Sequence, residues 1–410
     1  MLQPDDSVPL VAVHVMYHVG SRNEPPGRTG FAHLFEHLLF QGSENVPREG
    51  HFKYIQDAGG TLNGTTWFDR TNYFETVPAN ELDLALWLES DRMGFFKTGI
   101  TQEKLDNQRE VVKNERRQSY ENRPYGMAFE TLLHNAFPKG HPYRHPTIGY
   151  MEDLEAATLD DVRGFFDTYY APSNAVVVLC GRFDPVEAMN RVNAWFGPVP
   201  RRTTPGRPDI PKMTLEPSRE VLEDRVQSPR VYLMFHSPAF TDPRFEATDA
   251  LMALLSEGAS TPLNRDLVYE QQIAAGVSTF TWPTEDAGMC FAVATGRPGG
   301  CADELEDALR RSIANSVESG VTKEATAGAV NRTRLALVNR VADVGERADA
   351  LAHAAILRQD PYYVNDSFGR YESLTRTDLL EAAAVLDLDR ANVVQVIPGK
   401  SGRETEQETE

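Results

Sequence analysis

The sequence is poor in cysteine and in positive charge. Its 410 residues include only three cysteines, Cys180, Cys290 and Cys301, which lie far apart and form no Cys-x-x-Cys pair. This spacing argues against a cysteine zinc site and against a disulfide framework. Lysine and arginine total 41 against 60 acidic residues, which gives a net charge of −19. Because such a charge repels nucleic acid and anionic membrane surfaces, neither is expected as a partner.

The sequence also has no long apolar run. No stretch approaches the roughly 18 consecutive apolar residues of a membrane-spanning helix, and no basic and then apolar leader precedes Pro9. The sequence as given therefore predicts a soluble, cytoplasmic protein without a membrane span. However, a strand-like run from Pro9 to Val15 begins almost at the start of the chain. This leaves open an upstream strand or a leader, and with a leader a periplasmic or secreted location.

What the sequence does have is an internal repeat. A chain of 410 residues is long enough for two or three domains, and its halves align at an offset of about 216 to 219 residues. The matching elements are the strands 11–17 and 230–235, the helices 33–42 and 249–258, and two helices that begin at Thr158 and Thr375.

The repeat predicts an α+β fold with two homologous domains, each a mixed β-sheet with packed helices, formed by internal duplication. A segment rich in proline, glycine and arginine separates the halves and is typical of an exposed linker. We therefore predict a first domain over 1–200, a linker over 201–215, a second domain over 216–400, and a flexible polar tail over 401–410.

A helix of the first half carries a metal-binding pattern. His33 and His37 are four residues apart, so both imidazoles project from one helix face at adjacent turns, and Glu36 neighbours them. Two histidines and a carboxylate, with a position left open for water, are typical of catalytic zinc, and His-x-x-Glu-His is the inverzincin motif. A coincidental surface pattern is disfavoured, because the helix is otherwise apolar and buried polar groups need partners.

The second half provides an internal comparison. At an offset of 216 residues, the three motif residues correspond to Asp249, Met252 and Ala253. The second half thus repeats the helix without the ligands. We predict one zinc ion per chain, bound by the first domain, with the second domain serving architecture, substrate enclosure or both.

A third protein ligand must come from elsewhere in the chain. The long charged helix predicted from Thr101 to about Glu121 offers Glu110, Glu115 and Glu121 as candidates. Residue type and position within the helix do not decide among these three glutamates.

At these two motifs the chain resembles the pitrilysin or insulinase family of zinc peptidases, in the subfamily of short two-domain chains that includes mitochondrial processing peptidase. The resemblance covers nearly the whole chain and rests on residues 33–37 and 109–115, whose final glutamate stands 78 residues after His37. It implies that Glu115 is the third ligand. Many family members have a further glutamate seven residues before that ligand, where this chain has Gln108, so a supporting carboxylate is expected to be absent.

The resemblance implies a zinc-dependent endopeptidase acting on peptide bonds. Zinc lowers the pKa of its bound water to about 7. A carboxylate beside the metal can accept the proton as the water attacks a carbonyl and then pass it to the leaving amine. Glu36 is the expected catalytic base.

The segment 61–66, after the turn at Gly59 and Gly60, resembles the family's edge strand, to which an extended peptide adds by main-chain hydrogen bonds. Asn63 and Gly64 are the expected substrate-binding residues, and an ordinary hairpin strand is the alternative. Strand addition depends on main-chain hydrogen bonds and not on particular side chains, so extended or unfolded peptides are the expected substrates.

In catalytically complete members of the family, the second half supplies an arginine and, seven residues later, a tyrosine. The register of the repeat places Val268 and Ala275 there, and the nearby Arg265 and Tyr269 are four residues apart. The resemblance therefore implies that this chain is the zinc-bearing subunit of a dimer, in which a homologous chain supplies the arginine and tyrosine. The alternative is a non-catalytic scaffold subunit of the same fold, which the intact Glu36 argues against.

Overall fold

The computed structural model describes residues 1–203, 206, 210, 211 and 216–399. The predicted linker lies largely outside these residues, and the predicted tail lies wholly outside them. The strands of the described residues are β1 (Leu2–Pro4), β2 (Leu10–Tyr17), β3 (Thr61–Thr66), β4 (Thr71–Pro78), β5 (Ala175–Gly181), β6 (Ser218–Asp224), β7 (Arg230–Ser237), β8 (Ala274–Trp282), β9 (Gly288–Gly296) and β10 (Asn392–Pro398).

Helices connect and cover these strands. Those of the described residues are α1 (Phe31–Leu38), α2 (Gly50–Asp57), α3 (Leu82–Gly99), α4 (Gln102–Arg116), α5 (Ala128–Ala136), α6 (Met151–Glu155), α7 (Leu159–Tyr169), α8 (Pro185–Phe196), α9 (Phe245–Ser256), α10 (Ala302–Asn315), α11 (Lys323–Ala342), α12 (Val344–Leu357), α13 (Tyr363–Glu372) and α14 (Arg376–Ala382). Across the described part of the chain, no helix combines the length and apolarity needed to cross a bilayer.

The chain forms two compact units. The first is built mainly from the first half of the sequence and the second mainly from the second half, and each also contains one segment from the opposite half. The first unit comprises Met1–Arg116, His145–Ile210 and Val338–Val364, and the second comprises Arg117–Arg144, Pro211–Leu337 and Asn365–Glu410. The division into homologous domains over 1–200 and 216–400 stays a prediction, and it did not include this exchange of segments.

The first unit is built on a five-stranded sheet of order β1-β5-β2-β4-β3. β1 runs parallel to β5, whereas β2 pairs antiparallel with both β4 and β5. β3 pairs antiparallel with β4 and forms an edge of the sheet. β3 and β4 therefore form a hairpin, and β3 is the edge strand, as expected for segment 61–66.

The second unit repeats the first. Its sheet has the order β6-β10-β7-β9-β8, with a parallel pair at the same position in the order. The helices that begin after Thr158 and Thr375 also match, because each threonine accepts a hydrogen bond from the backbone of an aspartate three residues later and that aspartate bonds back to it. Two mixed sheets of one strand order confirm the predicted duplicated α+β fold.

The first strand of the chain lies where the sequence predicted none. β1 occupies residues before Pro9 and pairs with β5 through Leu2 and Pro4. β1 escaped prediction because three residues are too few to show a period of two. The helix α4 ends at Arg116 and continues directly as a π-helical segment over Arg117–Glu121, so the helical stretch reaches the predicted limit at Glu121.

A fully buried arginine joins the sheet to α3. Arg92, on α3, is 1% exposed and forms an ion pair with Glu89, and its Nη1 lies 4.0 Å from Oε1 of Glu75 on β4. Its guanidinium also lies 4.3 Å from the ring centre of Tyr73 and 4.9 Å from that of Phe40. Burial and the neighbouring Glu89 raise the pKa of Glu75 well above its ordinary value.

Replacing this arginine is expected to destabilise the fold strongly. Arg92→Met leaves buried carboxyl groups without their cation, and breaking a buried ion pair costs about 3–5 kcal/mol. Urea unfolding measures the change in the free energy of unfolding. Arg191→Met is the matched control, because Arg191 is 39% exposed in its ion pair with Asp83, and exposed pairs contribute about 0–1 kcal/mol. Equal losses in the two variants would contradict this account.

Candidate active site

The helix α1 begins at a sterically restricted glycine. Gly30 has φ of +81°, and a Cβ there would lie 2.3 Å from the carbonyl oxygen of Ile148, so a side chain does not fit. The buried carboxylate of Glu24 accepts hydrogen bonds from the N–H groups of Gly30, at 2.9 Å, and Ala32, at 2.7 Å. These bonds satisfy the first turn, where free N–H groups favour a negative charge. The start of α1 is therefore fixed by sterics and by a carboxylate cap.

Three side chains of α1 and α4 come together. The Nε2 atom of His37 lies 3.3 Å from one carboxylate oxygen of Glu115, and that of His33 lies 3.8 Å from the other. Donor atoms of the three residues all lie within 4.8 Å of one another. Tetrahedral zinc with bonds of about 2.0–2.1 Å holds its ligands about 3.3 Å apart. This donor set fits a zinc ion with a fourth position left for water.

Glu115 is held in place through the backbone of a neighbouring segment. On α4, Arg116 donates a 2.7 Å hydrogen bond to the carbonyl oxygen of Gly149, and Arg109 donates one of 2.6 Å to that of Ala157. Gly149 also packs against the backbone of Gly30, because a Cβ on Gly149 would lie 2.1 Å from the Gly30 nitrogen. Segment 145–157 therefore fixes α1 and α4 relative to each other.

The two other candidate glutamates are placed differently. Glu110 forms an ion pair of 2.9 Å with Lys113, and Glu121 belongs to the second compact unit. Among the three glutamates that the sequence left open, the structure brings Glu115 beside the two histidines.

Burial sets the charge states of the site. Burial is the main cause that lowers the pKa of His33 to about 4, and the neighbouring His37 contributes to this shift. The neutral imidazole is the form that binds a metal ion. A hydrogen bond from His37 is the main cause that lowers the pKa of Glu115. Burial raises the pKa of Glu36, partly opposed by a hydrogen bond from Thr66.

Glu36 lies beside the three donors and is only 9% exposed. Its Oε2 accepts a 2.6 Å hydrogen bond from the hydroxyl of Thr66, the last residue of β3. This bond fixes one carboxylate oxygen and leaves Oε1 to accept a proton. Sequence reasoning assigned no role to Thr66, although it faces the same side of the strand as Gly64 by the period-two rule.

The site opens into a cavity with a volume of about 470 Å³. It is lined by His33, Glu36, His37, Phe40, Gln41, Phe52, Asn63, Gly64, Thr65, Thr66, Gln108 and Glu115. Asn63 and Gly64, the two substrate-binding candidates, therefore line the same cavity as the metal-ligand candidates. The aromatic residues Phe40 and Phe52, whose ring centres are 4.9 Å apart, were not singled out from the sequence.

In the second unit, the residue that corresponds to His33 forms hydrogen bonds with other side chains of the chain. The buried carboxyl group of Asp249 accepts hydrogen bonds from Thr281, at 2.6 Å, and from Tyr371, at 2.9 Å. Among the described residues, no His, Cys, Asp and Glu group of metal-binding size includes Asp249. Arg265 and Tyr269 lie near the positions where the family has its arginine and tyrosine. Arg265 contacts Glu270 at 3.5 Å, and Tyr269 is 57% exposed.

Duplicated mixed sheets with grouped histidine and glutamate side chains are typical of two-domain metallopeptidases with the inverzincin motif. The family description "Insulinase (Peptidase family M16)" matches residues 1–149, and "Peptidase M16 inactive domain" matches residues 156–333. The chain belongs to this insulinase family, peptidase family M16, which confirms the predicted resemblance.

Relatives with related names cover most of the chain. It is 30% identical to the zinc protease PqqE of Helicobacter pylori, over 88% of this chain and 82% of that protein. It is 23% identical to a probable mitochondrial-processing peptidase subunit beta of Arabidopsis thaliana, over 75% of this chain and 59% of that protein. The crystal structure of a protease from Helicobacter pylori is similar with a TM-score of 0.86 and 26% identity, over 96% and 95% of the two chains.

Proposed function

We propose that the chain is a zinc-dependent endopeptidase that hydrolyses peptide bonds in extended or unfolded peptides. One Zn²⁺ is bound by His33, His37 and Glu115, and Glu36 is the catalytic base. The observation that carries this proposal is the placement of three donor atoms within 4.8 Å of one another beside a buried carboxylate. A structural zinc site, in contrast, usually closes with four protein ligands and needs no base.

Glu36 performs the proton transfers. Bound zinc supplies a water of lowered pKa and polarises the substrate carbonyl. Thr66 holds Oε2 of Glu36, so Oε1 is the oxygen that takes the proton of the attacking water. Because burial raises the pKa of Glu36, its conjugate acid forms more readily, and the same oxygen then returns the proton to the leaving nitrogen. Burial also limits access of bulk water to the reaction.

The edge strand β3 binds the substrate. The N–H of Trp67 bonds to the carbonyl oxygen of Arg70 at 2.9 Å and closes the hairpin. Since hydrogen-bonded pairs alternate along an antiparallel ladder, the backbone groups of Gly64 and Thr66 point away from β4. The side-chain oxygen of Asn63 accepts a 2.9 Å bond from the N–H of Gly64. When a peptide adds to β3, one of its carbonyl oxygens accepts the hydrogen bond from this N–H. The side-chain amide of Asn63 is then released and can form a hydrogen bond with the substrate backbone.

Asn63→Ala is expected to raise KM by about three- to tenfold with a smaller effect on kcat, because one hydrogen bond contributes about 0.5–1.5 kcal/mol. Steady-state cleavage of an unstructured peptide gives both constants. Asn80→Ala is the control, since Asn80 is exposed and bonds to its neighbour Glu81. An unchanged KM in Asn63→Ala would remove Asn63 from the substrate site.

The proposed active form is a dimer in which a homologous chain supplies an arginine and a tyrosine. This proposal is supported by the second half of the chain itself. Val268 packs against the core of its unit and Ala275 is exposed, so neither position offers a polar group. An identical second chain would bring the same residues, whereas a homologous chain can differ at both positions.

Mass spectrometry of a mixture of unstructured peptides, incubated with the zinc-loaded chain, tests the proposed function. Cleavage that a chelator abolishes and zinc restores is the expected result after addition of a homologous chain. Cleavage by the chain alone would overturn the partner requirement. Zinc binding without cleavage under both conditions would instead favour a scaffold subunit of the same fold.

A further inference from the structure

A partly buried network of polar side chains centres on Asp349 of α12, within the first compact unit; the side chain of Asp349 is 22% exposed. Its carboxylate accepts a 2.5 Å hydrogen bond from Arg340 and a 3.2 Å bond from the side-chain amide of Asn72. Nδ1 of His353 lies 3.2 Å from this carboxylate, and Nε2 of His14 lies 3.7 Å from it. One aspartate therefore connects α12 with β2 and β4.

The network reaches the edge strand through Arg70. Its Nε donates a 3.2 Å hydrogen bond to Nε2 of His353, which leaves Nδ1–H of that ring to donate to Asp349, whose backbone carbonyl oxygen and carboxylate each lie 3.2 Å from Nδ1. The Nη1 atom of Arg70 donates to the carbonyl oxygen of Thr65, at 2.9 Å, and to its hydroxyl, at 2.6 Å. The same hydroxyl donates a 2.6 Å bond to Asn72. Thr65 is thus held through both its backbone and its side chain.

The next residue of β3 holds the candidate base. Successive side chains of a strand point to opposite faces of the sheet. Thr65 therefore faces the network, whereas Thr66 faces α1 and donates its 2.6 Å bond to Oε2 of Glu36. A shift of Thr65 along or out of the sheet moves Thr66 with it, because one peptide bond joins the two residues.

The network is separate from the apolar contacts that attach α12 to the sheet. Ala348, Ala352 and Ile356 recur every four residues along α12 and are buried. They form the packing face of the helix. Asp349 and His353, each one residue later, form the neighbouring stripe. Removing their polar groups therefore leaves the apolar packing of α12 intact.

We propose that Asp349, His353 and Arg70 are positioning residues of the candidate active site. They fix Thr65, and thereby both the hydroxyl that orients Glu36 and the outward backbone groups that receive a peptide. The segment that supplies Asp349 and His353 lies more than 300 residues after the motif helix. This inference rests on the proposed peptidase function and assigns the exchanged segment 338–364 a role in it.

Kinetics of His353→Ala, Arg70→Met and the double variant test whether His353 acts on Thr65 through Arg70. A misplaced catalytic group can cost up to about 100-fold in rate, and we expect each single variant to lower kcat about tenfold with zinc affinity unchanged within twofold. Because both act through Thr65, the double variant should lose no more than Arg70→Met alone. Arg70→Lys, which retains one donor for Thr65, should recover part of the loss. Additive losses in the double variant would show that His353 does not act through Arg70, and would overturn the proposal.

Glu346→Gln is the matched control. Glu346 lies on the same helix, contacts Arg340 at 3.8 Å and has a side chain that is 63% exposed. Its kinetic constants should equal those of the unsubstituted chain. A tenfold loss of kcat in this variant would mean that any change on α12 disturbs the site, and would overturn the specific role of Asp349 and His353.

Hydrogen exchange separates this inference from the proposed function. In the zinc-loaded chain, amide exchange of segment 61–66 should accelerate about tenfold in His353→Ala and Asp349→Asn but not in Glu346→Gln. This result needs no catalysis, so the expected exchange pattern in a chain that cleaves no peptide with or without a homologous chain would refute the peptidase proposal and retain the positioning of β3. Unchanged exchange in the first two variants would overturn the positioning role even if the chain cleaves peptides.

Discussion

Glu36→Gln is expected to lower kcat by about 10²- to 10⁴-fold, the usual contribution of a general base, while zinc stays bound. Glutamine matches the shape of glutamate and keeps an oxygen that can accept the hydrogen bond from Thr66, which is 2.6 Å long in the unsubstituted chain. It cannot take a proton from water. The proposed ligands are other residues, so the zinc dissociation constant should change less than threefold.

Peptide cleavage followed by mass spectrometry, together with zinc competition against a chromophoric chelator, separates the two effects in Glu36→Gln. Thr66→Val is a graded comparison, because it removes the hydroxyl that holds Oε2 and keeps the carboxylate. We expect it to lose about tenfold in kcat, in keeping with a misplaced group. Turnover of Glu36→Gln within threefold of the unsubstituted chain would show that another group is the base. Loss of zinc from Glu36→Gln would instead make Glu36 a ligand.

The two histidine candidates for metal ligands came from local periodicity. His33 and His37 are separated by one helical turn, so their common face follows from backbone geometry. The partnership of Glu36 with Thr66 does not follow in this way, because α1 and β3 meet only after the chain has folded. The alternation of β3 places Gly64 and Thr66 on one face, but it does not say which helix covers that face.

The repeat of strands and helices likewise predicted two similar sheets. The sequence did not reveal that segment 338–364 joins the first unit. An apolar stripe with a four-residue repeat, as at Ala348 and Ala352, suits any sheet surface, so it carries no information about which sheet the helix covers. Contacts such as that between His353 and Arg70, 3.2 Å apart in space and 283 residues apart in sequence, have no local signature.

The second large effect is expected on zinc affinity, at the candidate third ligand Glu115. Glu115→Gln is expected to weaken zinc binding by about 10²- to 10³-fold. Structural zinc sites bind with about 10–16 kcal/mol, and an equal share for each of four ligands is about 2.5–4 kcal/mol. The amide oxygen of glutamine is uncharged and is a weaker donor for Zn²⁺ than a carboxylate.

Glu110→Gln is the matched control for Glu115→Gln, since both glutamates lie on α4 and the substitution removes the same charge from each. Glu110 is paired with Lys113 at 2.9 Å, so its zinc dissociation constant should remain within twofold of the unsubstituted value. Chelator competition measures both variants without reference to catalysis. If the two variants lose equal affinity, the effect comes from the negative charge of α4 and not from coordination. A loss confined to Glu115→Gln separates coordination from the general acidity of the chain, because the two variants have the same net charge.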